Sequence, residues 1–282
     1  GVGGVHLITR ARSGIGKFHL ADFDTFSLQN FNRQYGAKIS SLDGNKLTVM
    51  CKEALDINPF LELKKFPEGI SEQNIDEFLD GVDVVVDSLD AFAIDMRRLL
   101  FNRAREKGIY VVTAGPVGFS AVLLIFSPHQ GMSFDEYFQI RDEMDALEKS
   151  LSFQIGITPD LSFLKYFDWS HYSLQNRTAP SLGLACQLCA GVAAAEVLRI
   201  ALKRGAVKCV PHHYQFDAYT RRMRKGYLLW GNRNPLQRLK LASAKRAISG
   251  PTLRTSVPPE IPDATDFPRL AHFLIGAAVQ AP

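Results

Sequence analysis

Cysteine is scarce in this chain and unevenly placed. Cys51, Cys186, Cys189 and Cys209 are too few for a secreted disulfide scaffold, so a reducing, cytoplasmic setting is expected. An uninterrupted apolar run of membrane-spanning length is also lacking. The longest candidate, residues 182–202, is broken by Gln187, Glu196 and Arg199 and reads as a buried or amphipathic helix, so no membrane partner is expected. Charge of one sign is not in large excess. A net charge of +4 argues against a dedicated nucleic-acid binder as the default. Acids are missing between Asp217 and Glu260, an interval that holds Arg and Lys residues from Arg221 to Arg254. Such a run is usually a solvated face; the sharper alternative is a surface for an acidic partner. No signal peptide or internal repeat is visible, and an opening at Gly1 without methionine points to residues upstream.

What is present is an alternation of helical and apolar segments across 282 residues, enough to bury a large core. A glycine-rich opening, Gly1-Val2-Gly3-Gly4, runs into a helical stretch to Arg12, a glycine stop, and a short strand from Lys17 to Ala21. This is a βαβ half-unit whose first strand is expected before residue 1. Further helices are expected over 45–57, 70–79 and 95–107, and strands over 60–66, 82–87, 109–113 and 120–126. The fold class is α/β, a doubly wound and mostly parallel sheet. Residues 1–126 form its nucleotide-binding half, and the pattern breaks at Ala114-Gly115-Pro116-Val117-Gly118. Residues 127–178 look irregular and aromatic, with Phe134, Tyr137, Phe138, Phe153, Phe163, Tyr166, Trp169 and Tyr172. They form either a crossover segment that grips a substrate or an apolar cluster covering the sheet. A long small-residue helix over 180–203 and a strand over 212–219 place residues 179–249 in the same domain, and 250–282 reads as a Pro-rich extension.

The chemistry concentrates between Asp22 and Gln34. An apolar strand ends in Asp22, a second acid Asp24 follows, and then Asn30, Asn32, Arg33 and Gln34 crowd together. A strand ending in a carboxylate and opening into amide and guanidinium donors suits a ribose hydroxyl and a polyphosphate. A capped helix start would explain two or three of these residues but not all of them. Arg33 and Lys46 are suited to neutralise a triphosphate. Asp90, after the apolar run ending in Asp87, is suited to a magnesium ion bridging phosphates.

In these features the chain resembles the ThiF/MoeB/HesA group of adenylating enzymes, related to the ubiquitin-activating enzymes. The carriers are Gly1 to Gly4, Asp22-x-Asp24, Asn30-Phe31-Asn32-Arg33-Gln34, Gly44-Asn45-Lys46, the Val84 to Asp90 run with its Ser88-Leu89-Asp90 ending, and Glu196-Val197-Leu198-Arg199. The resemblance implies a Rossmann-like, ThiF-type fold and a homodimer. It also implies an ATP- and Mg²⁺-dependent adenylyltransferase that activates a carboxylate with release of pyrophosphate. The implied partner is the C-terminal glycine of a ubiquitin-like or sulfur-carrier protein, or a peptide. Carried over residue by residue, Gly1, Gly3, Gly4, Asp22, Asp24, Asn30, Arg33, Gln34, Lys46, Leu89 and Asp90 would bind the nucleotide. Arg33, Lys46 and Asp90 would be catalytic, with Asp90 on the metal.

Departures from the group are informative. His6 stands where a third glycine is usual, and the interval from Gly1 to Arg12 is shorter than in the group, which points to absent loop residues, or else to an altered nucleotide pocket. Residues 131–178 contain no cysteine, so a covalent step on the crossover segment is not expected. Cys186-x-x-Cys189 lacks the second pair that structural zinc takes in this group. Buried core thiols are therefore expected, and zinc is not. Two other readings share the βαβ geometry: an NAD-dependent oxidoreductase, and a non-catalytic partner subunit, which would be expected to lose Arg33 or Lys46.

Overall fold

The computed structural model describes residues 1–166 and 180–249. The chain runs α1 (Gly3–Arg12), β1 (Lys17–Ala21), α2 (Lys46–Ile57), β2 (Glu62–Phe66), α3 (Ile75–Phe78), β3 (Val84–Asp87) and α4 (Ile94–Glu106). It continues through β4 (Tyr110–Val117), β5 (Ser120–Phe126), α5 (Phe134–Phe138), α6 (Ala146–Ile157), α7 (Gly183–Ala201), β6 (His212–Asp217), β7 (Arg222–Tyr227) and α8 (Pro235–Ser249). The α/β class expected from the sequence is the one observed. The sheets are mixed in detail: β1 pairs with β2 in parallel, and the order β3-β4-β5-β6-β7 forms a second sheet. Only β3 and β4 are parallel there; β4 to β7 pair antiparallel.

Alternation along the strands explains why helices cover both faces. Val111, Leu124 and Phe126 point into a core shared with α4, α5 and α6, whereas Val112, Ala114, Leu123 and Ile125 point into one shared with α7. Cys186, Cys189, Ala190, Ala193 and Val197 are the buried α7 residues in that second core, and the small size of the first four lets the helix lie close on β4 and β5. By length and composition α7 is long and apolar enough to cross a bilayer; in the fold its inner face packs on β4, β5 and α1.

Three expectations are corrected. The helix expected over 70–79 shrinks to α3, because Asn74 turns back to accept from the Ser71 amide at 2.7 Å and donates to the Gly69 carbonyl at 2.9 Å. That local bonding competes with helix. The break expected at Ala114 to Gly118 falls later: β4 continues through Gly115 and Pro116, each paired across to β5. The segment expected to be irregular carries α5 and α6. Its aromatics Phe134, Tyr137, Phe138 and Phe153 are buried in the first core, as edge-to-face and tilted ring pairs. Trp169 and Tyr172 lie outside the described residues.

Gly131 closes the turn before α5 with a positive φ of 71°, and a Cβ there would run into the Val210 carbonyl oxygen. Gly131→Ala is therefore expected to cost about 2–4 kcal/mol, read as a lower urea midpoint with an unchanged slope.

Candidate functional site

The site forms where β1, the N-terminus of α2, the loop after β3 and the start of α1 meet. Asp22 follows β1, and its Oδ1 accepts from the Asp24 amide at 3.0 Å. Burial pushes the Asp22 carboxyl upward from the usual carboxylate range, against the pull of that amide and of Lys46. Lys46 is the first residue of α2, whose N-cap Asn45 accepts from the Thr48 amide at 2.9 Å. The Lys46 backbone amide donates to the Asp24 carbonyl at 2.9 Å, and its Nζ lies 3.0 Å from Asp24 Oδ2. The lysine side chain is only 12% exposed, so it is held close to the strand end.

Arg33 is anchored differently. Its Nη1 donates to the Gln29 carbonyl at 2.5 Å and to Asn32 Oδ1 at 2.9 Å, both neutral, and it makes no ion pair among the described residues. The loop that carries it is pressed by the start of α7. Asn32 Nδ2 donates to the Ser181 carbonyl at 3.1 Å, and a Cβ on Gly183 would lie 2.7 Å from the Asn32 carbonyl oxygen, so glycine is required there. Asn30 is buried and its Oδ1 accepts from the Ser27 amide at 3.1 Å, shaping the loop. The Gln34 amide donates to the Asn30 carbonyl at 2.8 Å.

The Lys46 ammonium lies close enough to the Asp22 carboxyl to favour its charged form. A Cβ on Gly1 would lie 3.9 Å from Arg33 Nε, and one on Gly3 would lie 3.5 Å from Ser88 Cβ. Gly4 packs on Met50 of α2. Asp90 is exposed, and its Oδ1 accepts from the Phe92 amide at 2.9 Å. Leu89 is half-buried and packs against the first core. Arg33 and the Asp90 loop therefore lie against one glycine turn, with Lys46 paired to Asp24 beside Asp22.

No group of three or more His, Cys, Asp or Glu residues suited to a metal occurs among the described residues. Asp90 alone fits a magnesium ion that takes most of its ligands from phosphate and water. Cys186 and Cys189 are fully buried, and burial pushes both thiols up.

Sequence reasoning missed two groups. Arg97 of α4 pairs with Asp87 at 2.8 Å, both side chains almost fully buried; the signal was an acid ending an apolar strand, which demands a partner. Tyr166 and Ser120 both donate to Asp217 Oδ2, at 2.5 and 3.1 Å. No local pattern announces that network.

His6 is buried and its imidazole is pushed down to about 3, by burial first and then by Arg10. The unfolded imidazole takes up a proton below its ordinary 6.5, whereas the folded one resists until about 3. Acid therefore favours the unfolded chain across that window. Between pH 7 and pH 5 the parent is expected to lose about 2 kcal/mol more stability than His6→Gln, measured by urea unfolding at both pH values.

Glycines at a helix start, an acid at a strand end and two nearby cations on an α/β scaffold are chemically suited to a nucleotide. The ThiF family model matches residues 1–237, and the chain belongs to the ThiF family. Among curated relatives, it is 32% identical over 119 residues to the tRNA threonylcarbamoyladenosine dehydratase of Haemophilus influenzae, covering 42% of this chain and 45% of that protein. It is 26% identical over 128 residues to the sulfur carrier protein ThiS adenylyltransferase of Escherichia coli, covering 45% and 50%. The chain thus spans half or less of these relatives. Among solved structures, PaaA aligns with a TM-score of 0.59 at 19% identity over 80% of this chain and 69% of its own. E. coli MccB with ATP aligns at 0.57 and 18%, over 82% and 62%. These two likenesses show the fold.

Proposed function

We propose that the chain binds MgATP at this site and adenylates a carboxylate, releasing pyrophosphate. The observation that carries the reading is that the Gly1–Gly4 turn lies against Arg33 and against Ser88 of the Asp90 loop, with Lys46 paired to Asp24 beside Asp22. A carboxylate oxygen attacks the α-phosphorus, the bond to the bridging oxygen breaks, and pyrophosphate departs. Arg33, bound only to neutral acceptors, has its full charge available for the phosphates. Lys46 would exchange its contact with Asp24 for a phosphate oxygen, and Asp22 would take the ribose hydroxyls. Magnesium, held by Asp90, would draw charge off the phosphates. The carboxylate is proposed to belong to the C-terminus of a carrier protein or peptide, in keeping with the ThiS adenylyltransferase likeness. Residues 131–178 offer no cysteine for a covalent intermediate.

A homodimer is part of this reading. The outward face of α7, with Leu184, Gly191 and Ala195 exposed, offers a surface for a second copy. A second reading rests on the dehydratase likeness and on exposed Arg222, Arg224 and Lys225 of β7: the same adenylation of a carboxylate on a modified tRNA base. Carboxylate-dependent exchange of labelled pyrophosphate into ATP tests the reaction. Stimulation by tRNA instead of peptide would favour the second substrate, and tight NAD binding without ATP binding would count against both.

A further inference from the structure

The loop that presents Leu89 and Asp90 is fastened by one residue outside it. Arg97 Nε donates to Asp87 Oδ2 at 2.8 Å and Arg97 Nη2 donates to the Leu89 carbonyl at 2.7 Å. Asp87 Oδ1 accepts from the Leu89 amide at 3.1 Å, and the Thr113 hydroxyl donates to Oδ2 at 2.8 Å. Both polar groups of Leu89, amide and carbonyl, are therefore fixed by a single buried ion pair. The third guanidinium nitrogen, Nη1, is buried with no hydrogen-bond partner among the described residues. What sets the guanidinium plane from the other side is Phe153 of α6, whose ring centroid lies 4.5 Å from Arg97 Cζ.

The same helix start is tied to the crossover segment twice more. Asp95 meets Lys149 of α6 at 2.7 Å, and Arg98 donates to Asp135 of α5 at 2.8 Å. Phe153 in turn packs on Phe138 and Phe134. A shift of α6 moves the ring, the ring tilts the guanidinium, and the guanidinium holds the Leu89 peptide one residue before the proposed metal carboxylate.

We propose that Arg97 is a positioning residue that couples the 134–157 segment to the Asp90 loop. Displacement of that segment and engagement of metal-bound ATP by Asp90 are then energetically linked, and the link is reciprocal. The ligands rest on the adenylation reading; the mechanical coupling does not.

The test uses the full chain with Arg97→Lys, Phe153→Leu and, as control, Phe134→Leu, which thins the same aromatic cluster without touching Arg97. Two measurements are made: amide hydrogen exchange over residues 88–92, which needs no ligand, and affinity for a fluorescent ATP with and without Mg²⁺. Arg97→Lys and Phe153→Leu are expected to speed exchange there by about fivefold or more, and Phe134→Leu by less than about twofold. The first two should also weaken MgATP binding by about five- to tenfold while leaving metal-free ATP within about twofold. Parental exchange at 88–92 in Phe153→Leu overturns the proposal, as does a Phe134→Leu change as large as that of Phe153→Leu. Should Arg97→Lys fail to fold, Phe153→Leu decides. A parent that binds no MgATP defeats the nucleotide reading, and the exchange measurement still judges the coupling.

Discussion

Lys46→Ala is expected to lower pyrophosphate exchange by about 10²- to 10³-fold, and Arg33→Ala by a similar factor. The two cations are anchored in different ways, which separates their effects on binding. At rest Lys46 is neutralised by Asp24 at 3.0 Å, so it meets the nucleotide only by exchanging one anion for another. Its loss should fall mainly on kcat, where the charge developing on the phosphates makes the exchange favourable. Arg33 has no such competitor, and its loss should raise the KM for ATP as well. Neither variant should unfold the chain. The Lys46 ion pair has an acid partner 56% exposed, and a pair of that kind contributes about 1 kcal/mol or less. Exchange within about threefold of the parent in both folded variants would remove the site assignment, since charge stabilisation of this kind is rarely worth so little.

Legibility in the sequence followed the range of the interactions. β1 and β5 are apolar runs bounded by turn residues, and both were readable to the residue from pattern alone. The start of α2 was readable because Asn45 is a local cap. The 70–79 helix was over-read because an asparagine bonding within five residues outweighs periodicity. The crossover aromatics were ambiguous because an aromatic side chain serves a core and a binding surface equally well. Only the packing of Phe134 and Phe138 against Phe101 and Phe126 on the sheet decides. The candidate residues Asp22 and Lys46 were legible because one follows a strand and the other begins a helix, whereas Asp90 lies in the loop between β3 and α4. The site was not legible where a partner comes from elsewhere in the fold, as with Ser120 and Asp217, or where Arg97 reaches back one turn into α4 to meet Asp87.

That last pair gives the largest expected effect on stability. Asp87→Asn keeps the volume and one carbonyl oxygen for the Leu89 amide, but it strands the Arg97 guanidinium, 3% exposed, beside a neutral group. Removing one partner of a buried pair leaves an uncompensated charge, and the cost is expected at about 3–5 kcal/mol. Thr113 adds to it, because its hydroxyl loses a charged acceptor at 2.8 Å. Arg97→Met should cost a comparable amount, since it leaves the Asp87 carboxylate buried with only the Thr113 hydroxyl and the Leu89 amide. The double change Asp87→Leu with Arg97→Met removes both charges and fills the space with apolar atoms. It is expected to be less destabilising than the sum of Asp87→Leu and Arg97→Met by about 2 kcal/mol or more, measured as a cycle of urea midpoints. Strict additivity would mean that the two side chains do not depend on each other, which is incompatible with a 2.8 Å contact between groups so completely removed from water. If the double variant is nearly as stable as the parent yet binds MgATP poorly, the pair contributes more to placing the Leu89–Asp90 loop than to holding the fold.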